Sequence, residues 1–256
     1  IKWRNQADGT ALGTQKLKVN KGEATIFTHK METDTDQEVI LYCARNIKDM
    51  GDLSILKPAT ILMAEAYRVT KLVCHSVNLT NLDLSECENL VDVDLSGCTQ
   101  LGTGVTAQGT LDVSGCDNLL KLNCEDTAVS YVNLNSSGSN IQEMWLPKSI
   151  RNILAVKCRA LHTIGLPHDH KCSTIKLQEC PNLTAFGDLM WNESAHRYDQ
   201  YNGYYLSGQL QELYLDASFD LETIEIFYNM HINKVTLLNL KNTKELILGM
   251  RINAKD

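Results

Sequence analysis

The stretch CRALHTIGLPHDHKC, residues 158–172, brings Cys158, His162, His168, His170 and Cys172 close together in the chain. Thiolate and imidazole are the ligands of structural zinc, which needs about four of them converging at roughly 2.0–2.3 Å. A Cys–His pair is also the core of thiol nucleophilic catalysis. Whether these side chains converge depends on the elements that carry them.

Composition removes several classes. The chain has 256 residues with 24 Lys and Arg against 31 Asp and Glu, a formal net charge of −7. Nucleic acid and anionic membranes both need clustered cations, so neither is expected as the main partner. Mean hydropathy is −0.20, and no apolar run approaches the roughly 20 residues that span a bilayer. Membrane insertion is not expected. The chain opens on IKWRNQADG without a signal-peptide pattern, which reads as a fragment or processed product. The nine cysteines are an odd number and form no C-x-x-C, so their spacing has to decide what they do.

That spacing follows a repeat. LTNLDLSECENL (79–90) runs into LVDVDLSGCTQL (90–101), and TLDVSGCDNL (110–119) follows. The shared template is L-x-x-L-x-L-x-x-C-x-x-L. With the first residue of each L-x-L pair as anchor, anchors fall at Leu82, Val93, Leu111 and Leu122, in steps of 11 with one longer step. Ile153, Ile164, Ile175 and Phe186 repeat the step of 11, as do Leu213, Ile224, Val235 and Leu246. Amphipathic helices, with a period near 3.6, do not hold such a step.

Each unit reads as a short strand plus a turn. Anchor and anchor+2 point to one side, as a period of two requires. The apolar residue at anchor−3 (Leu79, Leu90, Leu161, Leu183, Leu221) closes the inside of the bend. One unit cannot bury its own face, so units must stack with parallel strands bonded from coil to coil. The predicted fold is mainly β, a leucine-rich-repeat solenoid of 11-residue half-coils, about 22 residues per coil, with little helix.

Anchor+5 holds Cys87, Cys98, Cys116, Cys158 and Cys180, a small-residue slot that packs inside and helps satisfy turn backbone groups. Cys124 instead replaces a Leu at anchor+2. Disulfides are not expected, because ladder cysteines point along one interior and bonding demands specific Cα spacing. The same ruler reads the opening stretch. Cys158 is a ladder cysteine, and Cys172 is anchor−3 of the unit at Ile175. His162 lies in the pre-strand bend. His168 and His170 flank Asp169 in the ladder slot and are expected to project from the turn. Thiols facing in and imidazoles facing out do not make a zinc site, which leaves at most a weak surface site from His168, Asp169 and His170.

LDLSECENLVDVDLSGCTQL resembles the LDVSGC-type repeats of leucine-rich surface proteins in gut bacteria and of internalin-like, cysteine-ladder adhesins. The wider stretch from IKDMGDLSILKPATILMAEAYRVTKLVCHSVNLTNLDLSECENL to NIQEMWLPKSIRNILAVKCRALHTIGLP is similar to leucine-rich segments of tail-associated phage proteins. Those share a GDLS start, an LP-x-SI step and an NLT-type strand start. The resemblance covers roughly residues 48–186. It implies a stacked binding or structural module on a virion or cell surface, and it carries no catalytic residues.

Residues 1–55 do not follow the ruler and alternate like strands, as a small β-rich cap or linker, with the solenoid at 56–256. The segment 56–72 is expected to include a helical turn or two before a first repeat strand at Leu72. LILGMRINAKD ends on a repeat strand with no evident cap, so a longer natural chain or a partner is expected there. An insertion at 187–209 lengthens one step and carries Trp191, His196, Tyr198, Tyr201, Tyr204 and Tyr205. Insertions in solenoids gather on one face, often the binding face, and Tyr and Trp give contact area at low entropy cost. The loop could equally fold back and pack locally, since an ordered loop must bury something to offset its entropy. No G-x-S-x-G, H-E-x-x-H, Walker-type or dinucleotide-binding glycine motif occurs. Asp83, Asp92, Asp94 and Asp112 are expected as a solvated outer stripe. The expectation is a non-enzymatic binding module for a host-surface glycan or protein, with no cofactor and no metal, in a virion tail or at a cell surface. The alternative is a structural virion component or spacer that contacts other subunits, within a longer chain or a homo-oligomeric assembly.

Overall fold

A computed structural model describes residues 2–5, 11–14, 37–40, 48–63, 66–103, 109–134, 140–167, 169–200, 211–216, 223–227, 233–240 and 245–249. The chain divides into two compact units, Ile1–Ala44 and Arg45–Asp256. In the first, β1 (Lys2–Asn5) pairs antiparallel with both β2 (Ala11–Thr14) and β3 (Gln37–Ile40).

The second unit is a parallel β-solenoid of about seven turns, each of about 22 residues. Successive strands alternate between two sides. One side is a seven-stranded sheet of β4 (Asp49–Asp52), β6 (Lys71–Val73), β8 (Asp92–Asp94), β10 (Lys121–Asn123), β12 (Glu143–Trp145), β14 (Thr163–Gly165) and β16 (Ala185–Gly187). The other begins with the pair β5 (Thr60–Leu62) and β7 (Asn81–Asp83). It goes on as a six-stranded sheet of β9 (Thr110–Asp112), β11 (Tyr131–Asn133), β13 (Asn152–Val156), β15 (Thr174–Gln178), β19 (Glu212–Asp216) and β21 (Lys234–Leu238). A further parallel pair is β20 (Thr223–Phe227) with β22 (Glu245–Gly249). The 11-residue step is thus one half-turn, and anchors stack on anchors: Leu72 on Val93, Val93 on Leu122, Met144 on Ile164 and Ile164 on Phe186.

The core lies between the two sides. Val93, Leu95, Leu122, Cys124, Ile175 and Leu177 are fully buried, as are Leu79, Leu90, Leu161 and Leu183 at anchor−3. All five ladder cysteines are buried and free. The strand centres Ile61, Val132 and Met144 continue the pattern where the spacing slips by a residue or two. They keep their own buried anchor−3 residues, Val129 and Ile141 for the latter two. The helical turns expected between 56 and 72 give way to β5, because Thr60–Leu62 can add a rung beside β7. The 3-10 turn lies earlier, at Leu53–Leu56, with Asp52 capping it. Leu221 lies outside the described residues.

Three polar ladders join one coil to the next. The ladder cysteines at Cys87, Cys98, Cys116 and Cys180 donate S–H to the anchor+2 carbonyl of a coil below, that of Met63 (3.9 Å), Cys74 (3.0 Å), Leu84 (3.8 Å) and Ala155 (3.6 Å). On the β5–β21 side, asparagines at the outer bend donate from Nδ2 to a carbonyl one coil below. Asn89 reaches Tyr67, Asn118 reaches Glu88 (2.9 Å), Asn140 reaches Asp117 (3.1 Å) and Asn182 reaches Arg159 (2.6 Å). Just before the strands, Thr70, Thr80, Ser130, Ser173 and Thr184 add hydroxyl donors to carbonyls that already accept backbone N–H. A carbonyl oxygen has two lone pairs, and at these bends a side chain fills one beside the backbone N–H that several of the carbonyls also accept.

The aspartates are not merely a solvated stripe. Asp83, Asp94 and Asp112 each accept the backbone N–H two residues on, at 3.0, 3.1 and 3.0 Å, and Asn123 does the same for Glu125 at 3.1 Å. Each thereby holds the strand-to-turn corner as an Asx turn. The Ser85 backbone N–H holds the Asp83 carboxyl below the usual carboxylate range. At Asp112 hydrogen bonds from Ser114 and Asn133 do the same against the opposing effect of burial.

Asn118→Ala removes the side-chain donor to the Glu88 carbonyl and leaves it the Asn118 backbone N–H at 3.2 Å, so it should lower stability by about 1 kcal/mol, read by urea unfolding. Lys71→Ala only breaks an exposed ion pair to Asp92 (3.5 Å) and should change it by roughly 0.5 kcal/mol or less. Because Asp83 and Asp112 are lowered on folding, their contribution is complete above the unfolded value of about 3.9 and is lost as pH falls through the folded values. The double variant Asp83→Asn, Asp112→Asn keeps both corners, as Asn123 does, and cannot titrate. Its unfolding midpoint should match the parent near neutrality and fall less steeply below about pH 4.

Candidate functional site

The opening cluster is taken apart by the coils. Cys158 and Cys172 are interior, with Sγ directed at the carbonyls of Val156 (3.7 Å) and Thr174 (3.2 Å). His162 is half-buried at the bend, its Nδ1 2.9 Å from the Thr163 hydroxyl. His170 overturns its expected place: it is buried at 2% exposure, and its Nδ1 accepts the Cys172 backbone N–H at 3.1 Å. The cause is proline. In Leu166–His170, as in Leu146–Ile150, the residue after the inward Leu is Pro, and the turn closes three residues later, His170 N–H to Pro167 and Ile150 N–H to Pro147, both 3.1 Å. His170 therefore takes the interior position that Ile150 fills one coil below, and Asp169 is exposed, 4.0 Å from Lys148. His168 lies outside the described residues. Among the described residues no three His, Cys, Asp or Glu side chains are grouped to hold a metal ion. Burial pushes the Cys87 thiol up to about 11 and the Cys116 and Cys172 thiols up to about 12, the opposite of an activated nucleophile.

The described part of the insertion holds a β-hairpin. Strand β17 (Leu189–Asn192) pairs antiparallel with β18 (Arg197–Gln200), placing Trp191 opposite Tyr198. Asn192 Oδ1 accepts the Ala195 N–H at 3.0 Å and tightens the turn, and His196 takes a left-handed conformation (φ 48°) beside the second strand. Met190 and Trp191 are 55% and 42% exposed. Tyr201, Tyr204 and Tyr205 lie outside the described residues. The hairpin breaks only one side of the solenoid. The seven-stranded sheet ends at β16, while β15, β19 and β21 pair straight across the interruption.

Strand β18 lies beside β16, and the outward positions of the last two rungs are covered. Thr163, Gly165, Ala185 and Gly187 face away from the core, yet all four are buried. The half-buried Trp145 covers Gly165: a Cβ built on that glycine would enter the indole ring. Earlier rungs of the same sheet are open and charged, with cross-strand pairs Lys71–Asp92 at 3.5 Å and Lys121–Glu143 at 3.2 Å. At the corner below them Glu125 is raised by burial and then by its acidic neighbours Asp126, Asp94 and Asp188. The surface thus changes from charged rungs to an aromatic, hairpin-covered end. The spacing of eleven pointed at the hairpin and missed Trp145, whose signal is a Trp one residue past an anchor and a Gly at the matching place in the next coil.

Gly165→Ala should cost about 1–3 kcal/mol through overpacking against Trp145, measured by thermal unfolding. The pair Trp145→Leu, Gly165→Ala should recover much of that loss relative to Trp145→Leu alone, which a double-mutant cycle reads directly.

No protein-family model matches the sequence, and neither a curated protein nor a solved structure is significantly similar to it.

Proposed function

We propose that the chain is a non-enzymatic binding module of the leucine-rich-repeat kind, whose insertion at 187–209 recognises a glycan or protein on a host surface. The observation that carries this reading is the one-sided interruption: one sheet runs through unbroken while the other ends under a hairpin with Met190 and Trp191 exposed. A stiff stacked scaffold with one elaborated loop is how repeat proteins present a binding surface. Exposed aromatic side chains suit sugar rings and protein hot spots alike. The interior thiols, their protons held by burial, support a role without covalent chemistry. The likeness of LDLSECENLVDVDLSGCTQL to repeats of bacterial surface proteins and adhesins, and of the wider stretch over roughly residues 48–186 to tail-associated phage proteins, supports a place on a virion tail or cell surface.

The test is a glycan array and host-cell adsorption with the parent chain and with Trp191→Ala, Tyr201→Ala, Tyr204→Ala and Tyr205→Ala combined. Loss of binding by tenfold or more, with unfolding unchanged, is the expected result. Equal binding by both proteins would sink the hairpin assignment. A particle in which the hairpin is buried against another subunit would replace recognition with a structural spacer.

A further inference from the structure

The cysteine ladder contains one rung unlike the rest. Cys87, Cys116 and Cys180 reach down to the carbonyls of Met63, Leu84 and Ala155, whose side chains carry no thiol. Cys98 reaches down to Cys74, where the inward anchor+2 residue is itself a cysteine, and its Sγ lies 3.0 Å from the Cys74 carbonyl oxygen. Strands β6 and β8 hold the two in a fixed register, Leu72 opposite Val93 and Val73 opposite Asp94. The Cys74 N–H is tied to the Asp94 carbonyl at 2.9 Å and the Cys98 N–H to Leu95 at 3.1 Å. Both side chains are fully buried, and each thiol is the largest influence on the titration of the other.

We propose that Cys74 and Cys98 are a reversible dithiol pair that closes to a cross-coil disulfide between the β6 and β8 rungs. Cys98 beside it holds the Cys74 thiol below the ordinary cysteine value, while Cys98 itself is held above that value by Cys74 and by burial, so Cys74 is the attacking sulfur. The oxidant is a low-molecular-weight disulfide. The Cys74 thiolate attacks one of its sulfurs and expels a thiolate, which takes up a proton, leaving a mixed disulfide on Cys74. Cys98 then gives up its proton and attacks the Cys74 sulfur, expelling the second small thiol. Two protein thiols lose two protons and two electrons, and one small disulfide becomes two thiols. Access comes from the end of the ladder. Strand β4 is the edge of its sheet and its register against β6 is shifted, and Ile55 just beyond it is 85% exposed. Opening of such a terminal rung is the low-energy local event in a stacked fold.

The experiment equilibrates the whole 256-residue chain with mixtures of oxidised and reduced glutathione. Free thiols are then alkylated and cross-linked peptides identified by mass spectrometry. The expected result is one linked peptide pair, Cys74 to Cys98, that returns to free thiols on reduction and raises the thermal unfolding midpoint while present, since it closes a loop in the unfolded chain. Cys98→Ser should leave glutathione attached to Cys74 instead. Cys74→Ala should remove the link without shifting oxidation to Cys87 or Cys116. A link between Cys87 and Cys116, glutathione on the parent protein with no internal link, or all nine thiols alkylated without oxidation would each overturn the pairing. The parent protein alone decides among these, so a variant that fails to fold leaves the answer intact.

Discussion

A backbone carbonyl at a solenoid corner has a second lone pair that the regular strand ladder does not fill. Side chains repeatedly supply that donor, and these bonds tie a coil to the one below in the register of the parallel rungs. The cysteine S–H, the asparagine amide and the Ser/Thr hydroxyl are three answers, each directed at a carbonyl about one coil below. The Asx turns at Asp83, Asp94 and Asp112 handle the corner N–H groups instead. Apolar packing follows from the same register. When anchors stack on anchors, apolar inward positions fall on apolar inward positions in the next coil, as Leu72, Val93 and Leu122 do.

The same constraint explains why so many cysteines suit one core. A cysteine is nearly as small as alanine, tolerates full burial, and retains a weak donor for a carbonyl that alanine would leave alone. Burial that suits packing also raises the thiols at Cys87, Cys116 and Cys172, so the residues that look reactive on paper are quiet in place. The β6–β8 rung differs because two slots that elsewhere hold a thiol and an aliphatic side chain both hold thiols there.

The hairpin and Trp145 use the scaffold in another way. A one-sided insertion lets the β15–β19–β21 rungs carry the stack across the interruption. At the end of the opposite sheet β18 lies beside β16, and the outward positions of the last two rungs are buried. The covered end needs small residues, and Gly165 beneath the Trp145 ring supplies one. A charged surface over the earlier rungs and an aromatic one at the hairpin follow from this change of cover, without any change in the core.

Much of this was legible in the order of the residues. A period of two inside a step of eleven names the inward positions, because only a strand alternates faces and only a stacked turn repeats its corner. Leu79, Leu90, Leu161, Leu183 and the five ladder cysteines follow from spacing alone. Where the step slips, at Val132 and Met144, the ruler fails, since a rung can absorb a shorter or longer corner while keeping its pairing. His170 could not be placed by counting. Pro147 and Pro167 shift the turn by one residue, and only the stacked coil shows that an imidazole then lies where Ile150 lies below. The Asn ladder, the thiol pair at Cys74 and Cys98, and the ring of Trp145 over Gly165 join residues about twenty or more positions apart. The periodic inward pattern is a property of each half-turn by itself and so belongs to the sequence. Those contacts were decided by the tertiary structure, because they exist only once one coil is laid on the next and the register between them is set.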